Sequence, residues 1–273
     1  MKKRFAAIAL VAAFATSAAN AGTVTQWTVG VNAGFDTGSV VWDSSNGAFG
    51  TQSATATQLD WGSGGPSSLT LTNQNSSSTV TTNGPAVANL SITHVNQPIT
   101  GYTLDSVNLV STLTLTPFAP SLPGLPAATL TFQINFQETP NAADPCANGG
   151  AIGVGVNSNG CADIFVIDRN ALNFEFQYDT DGISGADPAE TYYISFFEMT
   201  NGLNPLPTAA CFAATGSNAA CLGFMTPEEA STTATFAALI TSQPVQIPEP
   251  GSLALLGLSL LGLGANRRYR ATR

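Results

Sequence analysis

The chain has 273 residues, a formal net charge of −9, and only 9% charged residues. That is far below the typical quarter, so the polar surface has to come from Ser, Thr, Asn and Gln. Seven of the eight Lys and Arg sit at the two ends, leaving Arg169 alone among the acids of the middle. That distribution excludes a nucleic-acid surface and favours divalent cations, cationic partners or simple solubility.

Residues 1–21 read as a secretory signal peptide. Lys2, Lys3 and Arg4 form a basic start, Phe5 to Phe14 an apolar run, and Ala19-Asn20-Ala21 places small residues where signal peptidase reads them. Cleavage is expected between Ala21 and Gly22. The apolar run is too short for a membrane anchor. An extracytoplasmic domain then spans 22–246.

Within it, Asn73 to Asn83 is rich in Ser, Thr and Asn and predicts an exposed loop. The one His of the chain follows, in Thr93-His94-Val95-Asn96-Gln97-Pro98-Ile99. On a strand, His94 and Asn96 would share a face and could hydrogen-bond a ligand. They could equally close a turn before Pro98 by bonding backbone groups.

Val107, Leu109, Leu113 and Leu115 alternate with polar residues, interrupted at Ser111. Pro117, Pro120, Pro123 and Pro126 recur every third residue and predict a stiff surface excursion. Leu130, Phe132, Ile134 and Phe136 alternate without a break, as do Leu172, Phe174, Phe176 and Tyr178. These are half-buried strands. Ile164 to Ile167 is apolar throughout and suits a more central strand. Residues 191–197 and 233–241 are two further strand candidates. Thr226-Pro227-Glu228-Glu229 offers an N-cap, a Pro at the first helical position and a capping Glu, predicting a short helix. Together these patterns predict an all-β fold. The expected architecture is an antiparallel, jelly-roll-like β-sandwich with long loops, flanked by the signal helix and a short C-terminal hydrophobic helix.

Four cysteines form two local pairs, Cys146 with Cys161 and Cys211 with Cys221. Export favours oxidation, so two sequential bridges are expected. A loop of about 15 residues gains roughly 3 kcal/mol from such a bridge in the chain-entropy model. Wide spacings and a single His argue against zinc. Asp179, Asp181, Asp187 and Glu190 offer carboxylates for Ca²⁺, although Gly182 and Ile183 depart from the EF-hand pattern. A solvated acidic turn has the same composition.

Signals for an enzyme are thin. A Ser-His-Asp triad would have to use His94, and no nucleophile-elbow sequence accompanies it. Glu138, Glu175 and Glu198 could pair for glycoside hydrolysis, but any acidic β-protein offers such pairs. The sequence therefore points to a non-catalytic protein, with a calcium-dependent carbohydrate-binding module and a secreted hydrolase as alternatives.

The last segment, 247–273, begins with Ile247-Pro248-Glu249-Pro250-Gly251. The apolar stretch from Ser252 to Ala265 has 14 residues. As a helix it reaches about 21 Å, short of a hydrocarbon core of about 30 Å. Arg267, Arg268 and Arg270 would hold its end in the cytoplasm. These residues resemble the PEP-CTERM sorting signal of Gram-negative bacteria in tripeptide, apolar segment and Arg cluster. The resemblance implies recognition by the membrane-embedded enzyme exosortase, transient residence in the inner membrane, and delivery to the cell surface or an exopolysaccharide matrix. His94, Asn96, Pro98 and Ile99 also match a subgroup of such proteins named for a Thr-His-x-Asn motif, a resemblance that brings no established activity with it.

Overall fold

The computed structural model describes residues 23–167, 173–180, 189–200 and 203–245. The signal helix, the cleavage site at Ala21 and Gly22, Pro248, Glu249 and Pro250, and the C-terminal helix lie outside these residues.

The strands are β1 (Gln26–Phe35), β2 (Val41–Asp43), β3 (Thr51–Ala54), β4 (Gln58–Gly62), β5 (Ser67–Thr72), β6 (Asn75–Thr81), β7 (Val87–Asn96) and β8 (Thr103–Ala119). They continue with β9 (Ala128–Gln137), β10 (Asp163–Ile167), β11 (Phe174–Tyr178), β12 (Glu190–Glu198), β13 (Asn204–Pro205), β14 (Leu222–Thr226) and β15 (Ala230–Thr241). One helix, α1 (Thr208–Thr215), precedes β14. The first sheet runs β13-β14-β10-β9-β8-β1-β6, with β2 also paired to β8, and the second runs β11-β12-β15-β7-β5-β4-β3. The two form a β-sandwich over a shared apolar core. Pairing is antiparallel, for example Ile134 with Val107 and Phe165 with Phe136.

Alternation explains most of this layout. Val107, Leu109, Leu113 and Leu115 all face the core. Ser111 does too, so the interruption is an inward polar residue and the phase of β8 is unbroken. Residues 130–136 keep the expected phase in β9. In β10 every residue is buried, because α1 covers its outer face. Ile164 and Val166 pack there against Ala210, Cys211 and Cys221. Cys211 is bonded to Cys221, which ties the helix to the edge of β14.

Three local expectations fail. Residues 75–81, expected within a loop, form the edge strand β6 paired to β1. Burial alternates along it, but Ser76 and Ser78 take two of its inward positions, so no apolar period marks it. Residues 226–229 form no helix. Glu229 sits at φ 58°, a left-handed conformation that stops a right-handed helix, and β15 starts at the next residue. Among the described residues the one α-helix lies at 208–215 and ends on Gly216 at φ 69°. Pro117, expected in a surface excursion, belongs to β8 and pairs with Trp27 of β1, and the prolines beyond β8 fold back onto the sandwich. Leu122 and Leu125 pack on the core, and Tyr178 donates to the Pro123 carbonyl at 2.6 Å.

Candidate metal centre

Strand β7 lies inside the second sheet, and Leu90, Ile92, His94 and Asn96 line its inward face. His94 and Asn96 thus occupy core positions, where an apolar residue would be ordinary. The His94 ring lies parallel to Trp61 of β4 at 5.8 Å and meets Phe136 of β9 edge-on at 4.9 Å. This burial pushes the imidazole pKa down from 6.5 to about 3, so the ring is neutral at neutral pH.

The opposing sheet supplies the acids. Glu138 follows β9 and Asp163 opens β10, one step beyond the pair Gln137–Ile164, so the ladder itself sets them side by side. The connection between them is closed by the Cys146–Cys161 bridge. Thr139 fixes its base. Its N–H donates to Asp163 Oδ1 at 2.9 Å, and its hydroxyl donates to the Cys161 carbonyl at 2.9 Å. Trp61 Nε1 donates to Glu138 Oε2 at 3.0 Å across the sandwich.

Glu228 comes from the turn between β14 and β15. Asn96 Nδ2 donates to its Oε1 at 3.3 Å and to the Thr226 carbonyl at 3.0 Å. With its amide turned to suit its neighbours, Asn141 also donates to Glu228 Oε1 at 2.5 Å. Gly160, at φ +136°, leaves room for this side chain, since a Cβ there would lie 2.8 Å from Glu228 Cγ.

Glu138, Asp163 and Glu228 each place one carboxylate oxygen within 4.8 Å of the others. Exposure is 6%, 0% and 1% for these three and 0% for His94 and Asn96. Burial raises the Glu138 pKa from 4.5 to about 7. It pushes Asp163 well above the usual carboxylate range, helped by the neighbouring Glu138 charge, and raises Glu228 as well. The described residues contain no Lys or Arg. Among the described residues, then, no side-chain cation balances the three acids, and a proton or a bound cation can do so. His94 Nε2 lies 3.8 Å from Asp163 Oδ2, beyond hydrogen-bond length. Both His94 nitrogens, Asn96 Oδ1, Asp163 Oδ2 and Glu228 Oε2 are buried without a hydrogen-bond partner. Oxygen donors grouped this closely suit a hard divalent cation, and a neutral imidazole beside them is in its metal-binding form.

Of the residues singled out in sequence, His94 and Asn96 come together here and share a face. The local turn before Pro98 is not what they build, because Asn96 bonds Thr226 and Glu228 on the far side of the sandwich. Pro98 is exposed, and Ile99 packs against the core at Gly62. Glu138 joins the cluster, whereas Glu175 is exposed on β11 and Glu198 bonds Thr200. Asp179 and Glu190 flank the β11–β12 connection, with Tyr178 paired to Glu190. Asp181 and Asp187 lie outside the described residues. Sequence reasoning missed Asp163, which reads as a strand start, and Glu228, which reads as a helix cap. The usable signal was the pair of polar residues, His94 and Asn96, at alternate positions of a strand.

No curated protein matches the chain. Residues 246–268 match the PEP-CTERM protein-sorting motif, which indicates an exported bacterial protein sorted by exosortase.

Proposed function

We propose that the protein is a non-catalytic component of the cell surface or extracellular matrix of a Gram-negative bacterium, associated with exopolysaccharide. Signal peptidase removes 1–21, and exosortase removes the tail after the segment 252–265 has paused in the inner membrane. The sorting motif at 246–268 carries this reading. Burial of Glu138, Asp163 and Glu228 argues against these three as a glycoside-hydrolase pair, which needs its carboxylates at an open cleft.

Glu249 is the one charge beside the apolar run on its outer side, and so the natural handle for recognition. Glu249→Ala is expected to leave export and both disulfides intact while uncleaved precursor accumulates in the inner membrane. Membrane fractionation with immunoblotting checks this. A variant that reaches the surface as the wild type does would show that Glu249 is not read.

A further inference from the structure

We propose that Glu138, Asp163 and Glu228, with the Asn96 side-chain oxygen and the His94 imidazole beside them, form a buried site for one hard divalent cation of the calcium class that pins the two sheets together. Three observations carry this. The carboxylates converge within 4.8 Å from three separate places in the chain. Both His94 nitrogens, Asn96 Oδ1, Asp163 Oδ2 and Glu228 Oε2 are buried with no hydrogen-bond partner, and His94 Nε2 lies 3.8 Å from Asp163 Oδ2. No cationic side chain among the described residues offsets the charge.

The cluster joins the sheets. His94 and Asn96 belong to β7 of one, while Glu138 and Asp163 sit at the ends of β9 and β10 in the other. The supporting shell is built as metal sites require. Trp61, Thr139, Asn96 and Asn141 donate to the carboxylates and orient them. The Cys146–Cys161 bridge closes the connection that carries Glu138 and Asp163 at its two stems. Because the site is sealed, the ion enters as the domain folds, so binding and folding are coupled.

The protein recovered from exporting cells is unfolded in chelator and refolded with or without millimolar Ca²⁺. Bound ion is counted by elemental analysis after dialysis. The single imidazole of the chain is a built-in reporter, read by NMR. One ion per chain is expected, together with a shift of the His94 ring signals and their broadening by Mn²⁺. Asp163→Asn and Glu228→Gln should each weaken binding at least tenfold, since even outer-shell changes weaken metal sites by about 10–100-fold. Asp181→Ala should leave it unchanged. Asp163→Asn replaces an acid by an amide of equal size, and Glu228→Gln is a second route if that variant misfolds. Absence of bound ion in the wild type overturns the proposal. So does an ion that leaves His94 unmoved, or one lost in Asp181→Ala, because the ion then sits elsewhere.

Discussion

In chelator, the protein is expected to lose stability as pH rises from about 5 to 8, against the usual trend for an acidic domain built on paired carboxylates. The titratable groups facing Asp163 are Glu138, Glu228 and His94. Glu138 rises from 4.5 to about 7 on folding, and Asp163 rises well above 3.8. Between those limits the folded chain holds more protons than the unfolded one. Their contribution is full below the unfolded values and is lost as pH rises through the folded ones. His94 works in the opposite sense. Its pKa drops from 6.5 to about 3, so its contribution is full above 6.5 and is lost on acidification. Three carboxyls, Glu138, Asp163 and Glu228, outweigh one imidazole, so stability falls as pH rises from about 5, and the opposing His94 contribution fades above 6.5. Urea unfolding at pH 5, 6.5 and 8 measures this. Asp163→Asn is expected to flatten the profile and to exceed the wild type at pH 8 by about 1–3 kcal/mol. Repulsion among surface acids gives both proteins the same background slope. An unchanged slope in the variant would contradict the assignment.

The second large effect is expected at Trp27. Its ring is fully buried and makes edge-on contacts with Phe176, Tyr178 and Tyr192 at 5.2, 5.4 and 5.1 Å. These partners belong to β11 and β12, whereas Trp27 belongs to β1, so one side chain bridges the two sheets. Its indole N–H donates to Thr82 Oγ1 at 3.1 Å, and Thr82 donates in turn to the Val24 carbonyl at 2.6 Å. Trp27→Ala should cost about 3–5 kcal/mol, through lost apolar burial and the cavity left behind. Phe118→Ala is the control. That ring is 56% exposed, and its removal should stay within about 0.5 kcal/mol. Equilibrium urea unfolding compares the two. Equal, small effects would mean that this contact does not hold the sandwich together.

How far the fold could be read in advance depended on whether inward positions were apolar. Strands β9 and β11 were legible because Phe132, Ile134, Phe174 and Phe176 stand out against polar neighbours. Strand β6 was not, because serines occupy two of its inward sites and the pairing with β1 is a backbone matter. Helix α1 left its trace on β10, whose unbroken apolar run calls for cover on both faces. The helix itself, Thr208–Thr215, is short and rich in small residues, so it has no apolar stripe to read. Periodicity is local information, and the acidic cluster is not local. Trp61, His94, Glu138, Asp163 and Glu228 come from five separate segments that only the strand order brings together. His94 and Asn96 announced a shared face; what they face could not be read from their neighbours. Calcium was sought where acids are dense in sequence, at Asp179 to Glu190. The buried acids that converge in space are scattered along the chain.

The most direct test of the sorting reading is the C-terminus of the wild-type protein found at the cell surface. Mass spectrometry of its C-terminal peptide is expected to show a chain that ends before Arg267, with the apolar segment and the Arg cluster removed. Surface material that still carries Arg267 to Arg273 would contradict removal of the tail and leave it as a weak anchor.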